Sequence, residues 1–259
     1  MRHVDLCSGI GGFALGFEWA GLSQPVLFCD IEPWSRQVLA KHWPDVTIAH
    51  DVKELASDAG RLVPDCDILT AGYPCQPFSV AGQQRGAEDD RHIWPEIFAI
   101  VQAKRPAWCV FENVSGHITL GLDQVLSDLE GEGYAIQPFV IPACAVDAPH
   151  RRERVWIVGN AASKRQDIGA ANERQGSTDQ QKQQFGVRSE PSRPSENVAD
   201  TDSQRGCGKG MEAWPTEPAV GRVANGIPRR VDRLKGLGNA IVPQIAMQIG
   251  LTIKAVEHG

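Results

Sequence analysis

His3-Val4-Asp5-Leu6-Cys7-Ser8-Gly9-Ile10-Gly11-Gly12-Phe13-Ala14-Leu15-Gly16-Phe17-Glu18-Trp19-Ala20-Gly21 opens the chain and decides its fold. His3 to Cys7 reads as a short strand. Phe13 to Gly21 carries apolar residues at helical spacing and ends on a glycine stop. Ser8 to Gly12 is a glycine-rich turn between them. Strand, glycine-rich turn and helix are the opening of a nucleotide-binding α/β fold. Glycines there let the backbone approach a ligand closely, although a plain tight turn explains a lone Gly-x-Gly equally well. Position 14 is alanine, so the Gly-x-Gly-x-x-Gly of dinucleotide enzymes is not met and a nicotinamide cofactor is not favoured.

Working outward, Pro25-Val26-Leu27-Phe28-Cys29 reads as a second strand, followed by Asp30-Ile31-Glu32 and a helix from Pro33 through His42. An acid at this point holds a ribose hydroxyl pair in such folds; a helix N-cap accounts for either acid too. Val46 to His50 reads as a third strand ending at Asp51-Val52. The fourth, Ile68 to Ala71, runs into Gly72-Tyr73-Pro74-Cys75-Gln76-Pro77-Phe78-Ser79. Gly72 and the prolines forbid continuation of that strand. Cys75 is therefore expected on a stiff loop at the sheet edge where open α/β folds bind ligands. A lone cysteine is usually a small buried hydrophobe, but flanking prolines of fixed φ suit a nucleophile that must be aimed.

Gln83 to Arg91 is polar and charged and reads as a lid beside Cys75. A helix from Ile93 to Lys104 follows. Pro106 to Phe111 reads as a fifth strand ending in Glu112-Asn113-Val114, which brings a carboxylate to the same rim. A cap or surface acid is the plainer account of one glutamate. After a helix near Leu122 to Glu130, strands Tyr134–Ile141 and Arg154–Gly159 are expected as an antiparallel hairpin. Its short link would carry His150, Arg151, Arg152 and Arg154, suited to phosphate or a base carbonyl. From Asn160 to about 210 the chain is polar and poor in large apolar residues, reading as loop or disorder. Order is expected again from Arg230, with an apolar helix after Pro243 packing back on the first domain.

The 259 residues suffice for one large domain or a domain plus a smaller lobe. No apolar run approaches the ~20 residues of a membrane span, and no secretory signal is visible, so a cytosolic location is expected. Seven cysteines, without a C-x-x-C pair, point to free thiols in a reducing compartment and no metal site. The net charge of -6 argues against a general nucleic-acid coat, while leaving room for a local basic cleft at Arg151–Arg154 or Arg222–Lys235.

Taken together, these residues resemble the cytosine-C5 DNA methyltransferases that use S-adenosylmethionine. Asp5 to Phe13 resembles the cofactor loop, Gly72 to Ser79 the nucleophile loop, Glu112-Asn113-Val114 the acid motif, and Gly238-Asn239-Ala240-Ile241-Val242 the last motif. Arg152 and Arg154 match the arginines of a Gln-x-Arg-x-Arg motif, with His150 in place of the glutamine. A Leu-Thr-Pro block that usually precedes the last motif is missing; Arg222 to Arg233 stands there instead.

The resemblance implies a Rossmann-like α/β methyltransferase sheet, mostly parallel with an antiparallel hairpin strand, plus a small, poorly ordered recognition lobe. It implies a catalytic domain over 1–159, a reduced target-recognition region over 160–230 and a returning C-terminal segment over 231–259. The implied cofactor contacts are Leu6, Cys7, Ser8, Gly9, Ile10, Gly11, Gly12 and Phe13, then Asp30, Ile31, Asp51 and Val52, then Gly72, Pro74, Asn239 and Ala240. Catalysis is implied for Cys75, Glu112, Arg152 and Arg154, and DNA contact for Gln76, Ser79, Gln84, Arg85 and Arg91. Partners would be duplex DNA and a cognate restriction endonuclease, with the protein a monomer in the bacterial cytoplasm, at the nucleoid or in a phage-infected cell. An RNA (tRNA) cytosine methyltransferase and a catalytically silent DNA-binding protein are the alternatives.

Overall fold

The computed structural model describes residues 1–74, 93–161, 236–237 and 239–258. Cys75, Gln76, Ser79, Gln84, Arg85 and Arg91, the expected lid, and the polar region over 162–235 lie outside the described residues.

Strict alternation along the strands builds the molecule. In β1 (Arg2–Leu6), Val4 and Leu6 face one side of the sheet and His3 and Asp5 the other. β4 (Ile68–Gly72), β5 (Trp108–Val114) and β7 (Glu153–Asn160) repeat the pattern. Leu69, Ala71, Cys109, Phe111, Val155 and Ile157 share the first core; Ile68, Trp108, Val110 and Trp156 share the second. A sheet apolar on both faces must be covered twice. α3 (Val52–Ser57), α4 (Ala59–Leu62), α5 (Trp94–Lys104) and α7 (Leu122–Gly131) contribute to the first core. α1 (Gly12–Trp19) and the last helix, α8 (Pro243–His258), contribute to the second. α2 (Pro33–His42) packs Leu39 against Phe28 of β2 (Gln24–Cys29) and Ala14.

With β3 (Thr47–Ala49) and β6 (Ala135–Pro142) the sheet has seven strands in the order β3-β2-β1-β4-β5-β7-β6. β1 to β5 pair in parallel, while β7 is antiparallel to both neighbours. The order reverses between β1 and β4, which opens a crevice beyond their C-terminal ends.

Three expectations need correction. The β6–β7 link is not short: it runs over 143–152 and contains a 3₁₀ turn, Ala143–Val146. Arg154 lies inside β7, not in that link. Glu112 and Asn113 lie inside β5, because its ladder continues against β7 after β4 has ended. The short helices α3, α4 and α6 (His117–Leu120) carry too few turns to show a period in sequence.

Candidate active site at the switch point of the sheet

A cavity of about 800 Å³ occupies the crevice beyond β1 and β4. The glycine-rich turn forms one wall by an unusual backbone path. Cys7, Gly9 and Gly11 all take positive φ, at 50°, 55° and 84°. The Ser8 hydroxyl locks the turn by donating to the Asp5 carbonyl at 2.5 Å and accepting the Cys29 N–H at 3.2 Å. A Cβ on Gly9 would meet nothing within 4 Å, so this backbone faces open space.

Asp30 follows β2 and lines the same cavity. Its carboxylate accepts the Gly9 N–H at 2.7 Å and the Glu32 N–H at 2.8 Å. Burial pushes its pKa up and these two N–H groups pull it back. Each oxygen keeps a lone pair for a ligand's donor. Ile31 beside it is 62% exposed at the cavity wall. Asp51 also lines the cavity, but its Oδ1 caps α3 by accepting the Lys53 N–H at 2.9 Å.

Across the crevice, Glu112 of β5 is buried against Arg154 of β7, Oε1 to Nε 3.0 Å. In the register Glu112 faces Trp156 and Val114 faces Arg154, so acid and guanidinium share one face two rungs apart. Burial raises the Glu112 carboxyl to about 7, against the opposing pull of Arg154 and Arg152. Asn113 lines the cavity with a buried Nδ2 that has no partner among the described residues, a donor open to an acceptor. Gly72 pairs with Glu112, so Gly72-Tyr73-Pro74, the peptide leading to Cys75, leaves the sheet beside the acid.

Nine of the sequence-implied cofactor residues therefore border one cavity: Cys7, Gly9, Asp30, Ile31, Asp51, Val52, Gly72, Pro74 and Asn239. Others are placed elsewhere. Leu6 and Phe13 are core, and Ser8, Ile10 and Ala240 are not on the cavity wall. Gly11 and Gly12 answer to packing: added Cβ atoms would lie 2.5 Å from Trp43 Cζ3 and 2.7 Å from Ile241 Cβ. Arg152 sits at φ 36° and donates from Nη2 to the Ala240 carbonyl at 3.0 Å, tying the end of the β6–β7 link to the segment before α8. Tyr73, Trp34 and Gly236 border the cavity without having been singled out. Trp34 stands in the first turn of a helix starting at the ligand-binding sheet edge, the one signal that marked it.

Burial pushes up the thiols of Cys7, Cys29, Cys66 and Cys109, those of Cys29 and Cys66 to about 12. These four stay protonated at neutral pH and are poor nucleophiles. Among the described residues no cluster of metal-ligating side chains occurs, and no helix is long and apolar enough to cross a membrane.

Comparison with known proteins agrees with this geometry. Type II methyltransferase M.NgoFVII of Neisseria gonorrhoeae is 35% identical over 163 residues, 61% of this chain and 43% of that protein. Type II methyltransferase M2.BsuMI of Bacillus subtilis (strain 168) is 33% identical over 180 residues, 65% of this chain and 44% of that protein. The chain thus spans less than half the length of these curated relatives. Among solved structures, the S. pombe Dnmt2 methyltransferase superposes with a TM-score of 0.55 at 22% identity, covering 62% of this chain and 50% of that one. That likeness concerns the fold. The family model for C-5 cytosine-specific DNA methylases matches residues 1–212, and the chain belongs to that family.

Proposed function

We propose that the protein is a DNA (cytosine-5-)-methyltransferase that takes its methyl group from S-adenosylmethionine. The observation that carries this reading is Glu112: a buried carboxyl, raised to about 7 and held by Arg154, beside the peptide that leads to Cys75. The cavity fits the cofactor. Asp30 offers acceptors to ribose hydroxyls, Gly9 leaves open backbone, and the Asn113 amide, unpartnered among the described residues, seeks an acceptor. When bound, S-adenosylmethionine supplies an electrophilic methyl carbon; the protein must make cytosine C5 nucleophilic.

Cys75, as thiolate, adds to C6 of a cytosine flipped out of the duplex. The addition moves negative charge toward N3 and O2. Glu112 donates its proton to N3 and Arg154 holds O2, stabilising that charge inside a dry site. Loss of the C5 proton after methylation expels the Cys75 thiolate and restores the aromatic ring. Residues 1–159 carry this chemistry, 160–230 read the target, and 231–259 return to the catalytic domain. The names of the relatives support a setting alongside a cognate restriction endonuclease. The test is transfer of labelled methyl from S-adenosylmethionine to duplex DNA. The wild type should label DNA and Cys75→Ala should not; full activity in that variant would remove the mechanism.

A further inference from the structure

The residues that hold the β4 exit against the β5 exit are not in the reacting set. Gly72 and Glu112 are the last paired residues of the β4–β5 ladder. The peptide that leads to Cys75 continues from Gly72, where β4 ends. Tyr73, the next residue, is 3% exposed, and its ring is wedged among Trp94, Phe111 and His117, with centroids 5.7, 6.4 and 5.5 Å away. Its hydroxyl shares a hydrogen bond of 2.9 Å with His117 Nε2.

His117 begins α6, five residues after Glu112, and is completely buried. Burial lowers its pKa, so the ring is neutral. Its Nδ1 has no partner among the described residues. A buried histidine that leaves one nitrogen unsatisfied is costly, and among the described residues the polar contact of its ring is the bond to Tyr73. Trp94, its ring tilted against Tyr73, is itself anchored through Nε1 to Asp128 Oδ2 at 2.7 Å. Phenylalanine at 73 would fill the aromatic wedge as well; the hydroxyl adds only polar contact.

We propose that Tyr73 and His117 are a positioning pair, whose hydrogen bond sets the distance between the peptide entering Cys75 and the acid Glu112. The proposal rests on the methyltransferase reading above. The Tyr73 hydroxyl meets His117, and Tyr73→Phe keeps the ring that borders the cavity. Their effect is on how often sulfur and carboxyl are aligned on one base, where a displacement of about 1 Å costs about 100-fold in rate.

The experiment compares methyl transfer to duplex DNA by the full chain, Tyr73→Phe, His117→Phe, the double variant and His117→Gln, with thermal unfolding of each. The expected result is a fall in kcat of about 10- to 100-fold in Tyr73→Phe and in His117→Phe. KM for cofactor should be unchanged, and the double variant should be no slower than either single one. His117→Gln, whose amide reaches the position of Nε2, should recover most of the loss. Unchanged kcat in a folded Tyr73→Phe would overturn the proposal, as would additive losses in the double variant. If His117→Phe does not fold, Tyr73→Phe and His117→Gln decide alone. An inactive wild type would instead remove the methyltransferase reading, and this proposal with it.

Discussion

Glu112 is the residue whose charge state matters most. Burial holds its carboxyl at about 7 although two arginines oppose it. In the proposed mechanism it is the protonated form that donates to N3. Below about pH 7 the donor is present; above, it is lost about tenfold per pH unit. The wild-type rate should therefore show an alkaline limb near pH 7, offset in part by growth of the Cys75 thiolate. In Glu112→Gln the amide can hydrogen-bond N3 at every pH but transfers no proton, so that limb should vanish, with the rate lower by about 10²–10⁴. Methyl transfer measured from pH 6 to 9 checks both statements. The acid was legible because Glu-Asn-Val follows an apolar run. Its pairing with Arg154 was not, because it depends on the register of two strands 40 residues apart in sequence.

At the scale of elements, α1 and α8 pack through small residues. Gly12 and Gly16 of α1 and its C-cap Ala20, four apart, meet Ile241 just before α8 and Ala246 and Gly250 within it. A Cβ on Gly16 would lie 2.4 Å from the Pro243 carbonyl oxygen and 2.7 Å from Ala246 Cβ. Both obstacles are fixed to the backbone, so α8 must move. Gly16→Ala should destabilise by about 2 kcal/mol of overpacking, more than the ~1 kcal/mol that alanine returns as helix propensity. Thermal unfolding should show a fall of about 4 °C or less of net shift after that return; an unchanged or higher midpoint would mean the helices are not in register. The glycine-rich stretch had read as one cofactor turn. Of its glycines only Gly9 faces the cavity; Gly12 packs on Ile241, just before α8, and Gly16 on α8 itself, more than 200 residues away in sequence.

For the whole molecule, the polar groups buried under the sheet govern stability against pH. Thr70 Oγ1 donates to Asp5 Oδ1 at 2.6 Å and lies 2.8 Å from His3 Nε2. Burial raises Asp5 from 3.8 to about 8 and lowers His3 from 6.5 to about 3. Asp5 thus stays protonated in the fold while the unfolded chain ionises, so its contribution falls as pH rises from about 4 to about 8. His3 stays neutral while the unfolded chain binds a proton, so its contribution falls as pH drops from 6.5 to about 3. Glu112 has finished most of its change by about pH 7. Between pH 7 and 8 the decline belongs mainly to Asp5, and should amount to about 1 kcal/mol. Asp5→Asn keeps an acceptor for Thr70 and should flatten that slope in urea unfolding at the two pH values.

Sequence by itself determined the α/β class, most strand and helix positions, and the chemical groups of the site. Period-two and helical spacing, glycine stops and proline breaks are local signals, and each residue type brings its chemistry with it. Only the tertiary structure decided which residues meet. It joined Glu112 to Arg154, turned Arg152 onto the Ala240 carbonyl, gave Gly12 to helix packing, and paired Tyr73 with His117. Those contacts follow from strand register and the order in which the sheet is assembled, and these depend on distant segments competing for the same buried faces.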